Sequence, residues 1–185
     1  MRILFVIILI IIITGCSAAG VIYTSDPGKK LAQANELVLM NRPIPAEKLA
    51  KESLKIFTLN KDVFGQSEAN FFLGIFYKYK SNWKNVPTER FLNKSLEHLT
   101  SSASGFLSLE ENIQASKVLF EIGQAYRALN KLPAACQKYK KSLSLFNSGK
   151  GKHQHFKINN QKLNSPQEII QTHIDNLCVQ PPVNQ

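Results

Sequence analysis

Apolar positions between residues 27 and 146 recur at helical spacing, with few of the strict alternations a half-buried strand requires. The spacing predicts helices over residues 27–40, 45–59, 67–80, 87–103, 111–129 and 133–146. Asp26-Pro27 opens the first with a capping carboxylate and a proline at the first helical position. Asn41-Arg42-Pro43, Asn60, Ser81-Asn82 and Asn130 break the run, each at a residue type that leaves helices readily. Residues 148–164 are polar and rich in Gly, Lys, His and Asn, and read as an exposed loop. Ser165-Pro166-Gln167-Glu168 then combines a capping-box Ser and Glu with an N-terminal proline, predicting a last helix over 165–179. That helix stacks Ile169, Ile170, His173, Ile174 and Leu177 on one stripe, and the tail 180–185 is expected to fray. The fold class expected is all-α.

The helical run repeats itself. Pro45-Ala-Glu-Lys-Leu-Ala-Lys-Glu-Ser53-Leu54 is echoed by Pro87-Thr-Glu-Arg-Phe-Leu-Asn-Lys-Ser95-Leu96. It returns with one added residue from Pro133 to Ser142-Leu143. Each copy opens the second helix of a helical hairpin, and periodic hairpins are the mark of solenoid arrays. Residues 115–147 resemble a tetratricopeptide (TPR) repeat: Leu119, Ile122, Gly123 and Tyr126 fall at first-helix positions, Ala135, Tyr139 and Ser142 at second-helix positions. A second hairpin matches through Leu73, Gly74, Tyr77, Leu92 and Ser95, and a first through Ala34, Ala50 and Ser53. Gly and Ala are expected where helices cross closely, with Tyr126 and Tyr139 filling the space between hairpins. Spacing between the copies is irregular, with extra residues near 100–112 that lengthen a helix or form a loop. The resemblance implies a superhelix of about three TPR-like hairpins over 27–147, closed by the C-terminal helix.

Ahead of the helices lies an unbroken apolar run, residues 3–13, ending in Ile13-Thr14-Gly15-Cys16. This resembles a bacterial lipoprotein signal peptide with its lipobox: small residues admit the signal peptidase, and the Cys16 thiol carries lipid. The resemblance implies a signal peptide over 1–15, a lipidated flexible tether over 16–26 and, with Ser17 after the cysteine, the periplasmic face of the outer membrane. The alternative is an uncleaved single-pass anchor in the inner membrane, since no charge falls between Ile3 and Tyr23.

Composition sharpens that address. The chain of 185 residues carries 23 Lys and Arg against 13 Asp and Glu, a net charge of +10. In an exported protein such a balance points away from nucleic acid and toward head groups, anionic polymers or acidic protein surfaces. With Cys16 taken by lipid, Cys136 and Cys178 are left as a candidate disulfide in an oxidising compartment, or else as two buried thiols.

Candidate chemistry is sparse. His153 and His155 form a pair in a Lys-rich loop without further ligands, so no metal is expected. Glu110-Glu111 suits a helix start rather than acid–base work. Neither an enzyme, a cofactor nor a small-molecule substrate is expected. In TPR arrays the first helices line a concave groove. The resemblance places Phe71, Ile75, Lys78, Tyr79, Lys117, Phe120, Gln124 and Arg127 there, a surface suited to a peptide of a protein partner. Alternatively, Phe71 and Phe120 are core residues covered by a neighbouring hairpin or by the C-terminal helix. The architecture is similar to lipoproteins that assemble pili, secretins or secretion and conjugation systems. A second function class is binding of lipopolysaccharide or peptidoglycan through Lys150, Lys152 and Lys157.

Overall fold

The computed structural model describes residues 23–149 and 165–178. These form seven helices: α1 (Pro27–Leu39), α2 (Pro43–Leu59), α3 (Val63–Lys80), α4 (Thr88–Ser108), α5 (Asn112–Ala128), α6 (Leu132–Ser148) and α7 (Pro166–Cys178). Among the described residues there is no strand. Each helix packs chiefly on its neighbours in sequence, with lighter contacts from α1 to α3 and from α3 to α5. That pattern is an all-α helical repeat superhelix in which α1, α3 and α5 lie side by side. No described helix is long and apolar enough to cross a membrane. Cys16, the His153–His155 pair and Lys150, Lys152 and Lys157 lie outside the described residues, as do the predicted leader and the 180–185 tail.

Four of the turns share one closure. Asn41, Lys61, Glu110 and Asn130 each take a left-handed conformation, with φ between 55° and 58°. The amide that follows each bonds back to the helix it leaves: Arg42 to Leu37, Asp62 to Phe57, Glu111 to Phe106 and Lys131 to Tyr126. This satisfies carbonyls that a helix end leaves open. Asn tolerates the left-handed region because its short amide bonds locally, so two of the four turns are legible as Asn. Lys61 and Glu110 carry no such signal. Helix α3 therefore begins at Val63, four residues before the expected start. Asp62 caps it, accepting from the Gly65 amide at 2.8 Å.

The repeat serines share a role. Ser53 donates to the Pro27 carbonyl at 2.7 Å, Ser95 to that of Gly74 at 2.7 Å, and Ser142 to that of Ser116 at 2.8 Å. Each is fully buried, so each hairpin is pinned by a hydroxyl from its second helix to a carbonyl of its first. The packing register nevertheless slips between hairpins. Ser95 meets the glycine of its hairpin, Gly74, whereas Ser142 bonds two turns before Gly123, which faces Tyr139 instead. The longer connection ahead of α4 and that helix's 21 residues absorb the irregular spacing. The extra residues near 100–112 lengthen α4 to Ser108 rather than forming a loop.

Close crossings explain the glycines. A Cβ on Gly74 would lie 2.5 Å from Leu99 Cγ, and one on Gly123 2.5 Å from Tyr139 Cε1. Three apolar clusters then run along the array. The first joins α1, α2 and α3 through Ala34, Leu37, Leu49, Leu73 and Phe76. The second centres on Leu99, Phe106, Val118, Leu119 and Ile122 of α4 and α5, with Phe64, Phe71 and Ile75 of α3 against it. The third joins Phe120, Ala135 and Tyr139 to Ile169, Ile170 and Ile174 of α7. Helix α7 starts at the expected cap, where Ser165 Oγ accepts from the Glu168 amide at 3.2 Å. A disulfide between Cys136 and Cys178, with Cα atoms 5.6 Å apart, ties its far end to the first turn of α6.

Candidate functional site

The groove-facing residues of α1, α3 and α5 divide into a filled half and an open half. Between α3 and α5, Lys78 forms an ion pair with Glu121 and donates to Gln124 Oε1 at 3.1 Å. Lys117 Nζ sits 4.6 Å above the Phe71 ring. These contacts bind two hairpins to each other, so Phe71, Lys78, Lys117 and Gln124 serve the array's own cohesion.

At the end of that half, α7 covers what a partner was expected to reach. Phe120 is 4 % exposed, with its ring 5.5 Å from Tyr139 and 5.1 Å from His173. It is a core residue and not part of the groove surface. The third hairpin buries its first-helix aromatic against whatever follows it, and here that is the Ile169–Ile170–Ile174 stripe. Arg127 is exposed and turned toward the same helix, 3.4 Å from His173 Nδ1. Burial, reinforced by Arg127, lowers the His173 pKa below its ordinary value. Burial also pushes the Tyr139 phenol up to about 12.

Between α1 and α3 the groove stays open. A cleft of about 340 Å³ is walled by Val38 of α1, Phe72, Ile75, Phe76 and Tyr79 of α3, and Trp83 of the following loop. Asn35, Asn41 and Pro43 complete its rim. Ile75 and Tyr79 are the two expected groove residues that line it. Tyr79 is 62 % and Trp83 43 % exposed, while Phe76 forms the buried floor. Phe72 and Phe76 stack with ring centroids 6.3 Å apart, one helical turn from each other.

The wall behind this cleft is stiffened by charge. Lys80 Nζ lies 5.0–5.7 Å from the Phe91, Phe76 and Trp83 ring centroids and donates to Glu47 Oε2 at 3.1 Å. Glu47 also accepts from Lys51 Nζ at 2.7 Å and from the Tyr77 hydroxyl at 2.8 Å. Burial acts to raise the Glu47 pKa, but the three hydrogen bonds outweigh it and bring it down to about 2. Behind Tyr77 stacks His98, bonded through Nδ1 to Asn70 Oδ1 at 2.9 Å. Burial lowers the His98 pKa as well.

The cleft thus offers aromatic and aliphatic surface with amide hydrogen bonds at its rim. Among the described residues no three His, Cys, Asp or Glu side chains converge as metal ligands would. Val38, Phe72, Phe76 and Trp83 were absent from the groove expected from sequence. The available signals were the chain's one tryptophan, placed in a helix break, and the Phe72–Phe76 pair at helical spacing with Tyr79. No protein-family model matches this chain, and no curated protein shows significant similarity to it.

Proposed function

We propose that the protein is a lipid-anchored, TPR-like scaffold on the periplasmic face of the outer membrane. It holds an apolar segment of a protein partner during assembly of an envelope machine such as a pilus, a secretin or a secretion or conjugation system. The supporting observation is the α1–α3 cleft: an open, aromatic-rich recess beside a filled half-groove. Its size suits one or two anchoring side chains of a helix or extended peptide, the mode in which grooves between helices take ligands. The scaffold carries no catalysis in this reading: the cleft is lined by aromatic, aliphatic and amide side chains, with the Tyr79 phenol as its one ionisable group. The Ile13-Thr14-Gly15-Cys16 sequence supports the anchor.

A photo-crosslinking residue at Tyr79 in the native envelope is expected to capture a defined partner. The same residue at Asn93, exposed on α4 and apart from the cleft lining, is not. Ile75→Glu is expected to abolish that capture; because Ile75 also packs against the α4–α5 cluster, Val38→Glu, at a wall residue 39 % exposed, is expected to weaken capture with the fold intact by circular dichroism. Capture that is equal from both positions, or indifferent to Ile75→Glu, refutes the cleft as the binding site. A mature mass beginning at an acylated Cys16 tests the anchor separately.

A further inference from the structure

One edge of the array carries apolar side chains that point away from every core. Hairpin alternation brings the α1–α2 turn and the α3–α4 loop to the same edge, where both border the cleft. Leu39 is 86 % exposed, Met40 64 % and Ile44 83 %. These side chains protrude from the turn, whereas the cleft beside them is recessed. A recess receives a side chain of a partner; prongs are suited to entering a soft apolar medium. Beside Ile44 stand Lys48, Lys51 and Lys55 with Glu47 and Glu52, the latter paired with Lys30, and Lys84 follows Trp83 in the α3–α4 loop. Glu47 is already engaged by Lys51, Lys80 and Tyr77. Trp83, an aromatic with a polar tip of the kind enriched at membrane–water interfaces, borders the cleft with Asn41 and Pro43 of the α1–α2 turn.

We propose that this edge is a membrane seat: Leu39, Met40 and Ile44 enter the head-group and upper acyl region of an anionic phospholipid bilayer, with Lys48 and Lys84 against its phosphates. Exposed apolar area together with basic charge is the combination that holds peripheral proteins on anionic lipid. The chain's net charge of +10 is complementary to such a surface. The inference is independent of what occupies the cleft. It agrees with an anchor at Cys16, since the 11 residues from Cys16 to Pro27 reach roughly 36 Å when extended. Helix α1, which separates the tether's attachment from the seat, is only about 20 Å long. The cleft mouth would then open beside the head groups, so that a partner is held at the membrane surface.

Because Trp83 is the chain's one tryptophan, its fluorescence reports on this edge alone. The full chain is reconstituted into vesicles of phosphatidylglycerol and phosphatidylethanolamine with acyl chains brominated near the head group. A seat predicts a blue shift and strong quenching of Trp83. Quenching falls at least fivefold in L39D/M40D/I44D, and Leu39→Asp alone lowers it in the same direction. Lys48→Gln and Lys84→Gln are each expected to weaken lipid association about fivefold. Circular dichroism melts of the variants should match the parent, because the altered side chains are exposed. Unquenched Trp83 in anionic vesicles overturns the seat, and equal quenching in phosphatidylcholine overturns its anionic character. A Trp83 shift that needs an added protein, and not lipid, makes the edge a protein-docking surface and also overturns the proposal. Failure here leaves the Tyr79 capture experiment unaffected, so the two readings fall separately.

Discussion

Replacing both cysteines, Cys136→Ser with Cys178→Ser, should separate α7 from the array without unfolding the rest. The bridge joins residues 42 apart, and in the chain-entropy model closing such a loop stabilises by about 4 kcal/mol at 25 °C. Against that stands what α7 gains by docking. Ile169, Ile170 and Ile174 are 7 %, 0 % and 8 % exposed, worth about 2 kcal/mol each as buried aliphatic side chains. Ordering the backbone of a 13-residue helix costs roughly 1–2 kcal/mol per residue before its own hydrogen bonds are counted. The two contributions nearly cancel once those bonds form, so the cross-link decides whether α7 stays docked. Native-state hydrogen exchange should show the α7 amides exchanging about three orders of magnitude faster in the double variant. The α1 and α2 amides, with their core at the far end of the array, should keep their protection. An α7 change below about tenfold would show that packing, not the bridge, holds the helix. Equal loss of protection in α2 would show that the array unfolds as one unit, which contradicts nearest-neighbour stability.

Four other outcomes are expected. Gly74→Ala and Gly123→Ala should each lose about 1–2 kcal/mol in urea melts, although alanine at an open helical site gains about 1 kcal/mol. The new methyl would sit 2.5 Å from Leu99 or Tyr139, both fully or nearly fully buried. Lys61→Gly and Glu110→Gly should stabilise by about 0.5–1 kcal/mol, because glycine accepts the φ of 55° and 58° that the native side chains resist. Stability should fall on acidification from pH 7 to pH 5. His98 and His173 have folded pKa values below the unfolded one, so the unfolded chain takes up protons first and the histidine contribution is complete only above about 6.5. His98→Gln combined with His173→Gln should flatten that slope in thermal melts at each pH. Glu47 has the same sign in a lower window: its contribution is complete above about 4.5 and is lost as pH falls toward 2, and Glu47→Gln should remove that low-pH loss.

The helices, the caps and the hairpin repeat were legible in the chain, because each depends on residues within a few positions of one another. Asp26-Pro27 and Ser165-Pro166 start helices where expected, and the serines 53, 95 and 142 marked the second helix of every hairpin. Gly74 and Gly123 signalled close crossings, since only a missing Cβ admits Leu99 or Tyr139. The start of α3 was misplaced because the left-handed turn at Lys61 carries no local signal, although Asp62 did offer a cap.

The groove was legible only as a helix face. Phe71, Ile75, Lys78 and Tyr79 do share one face of α3, as their spacing dictates. Which of them bonds to the array and which meets solvent depends on what packs against that face. Helix α5 takes Lys78 and Phe71 through Glu121, Gln124 and Lys117, while the gap beside α1 leaves Ile75 and Tyr79 at an open cleft. Phe120 occupies the matching helix face, yet α7, returning from 46 residues beyond Phe120's neighbour Arg127 to place His173 against it, takes that surface away. Periodicity reports the direction of a side chain from its own axis. Burial is a property of the neighbours, and in an array closed by a distant helix only the tertiary structure decides who those neighbours are.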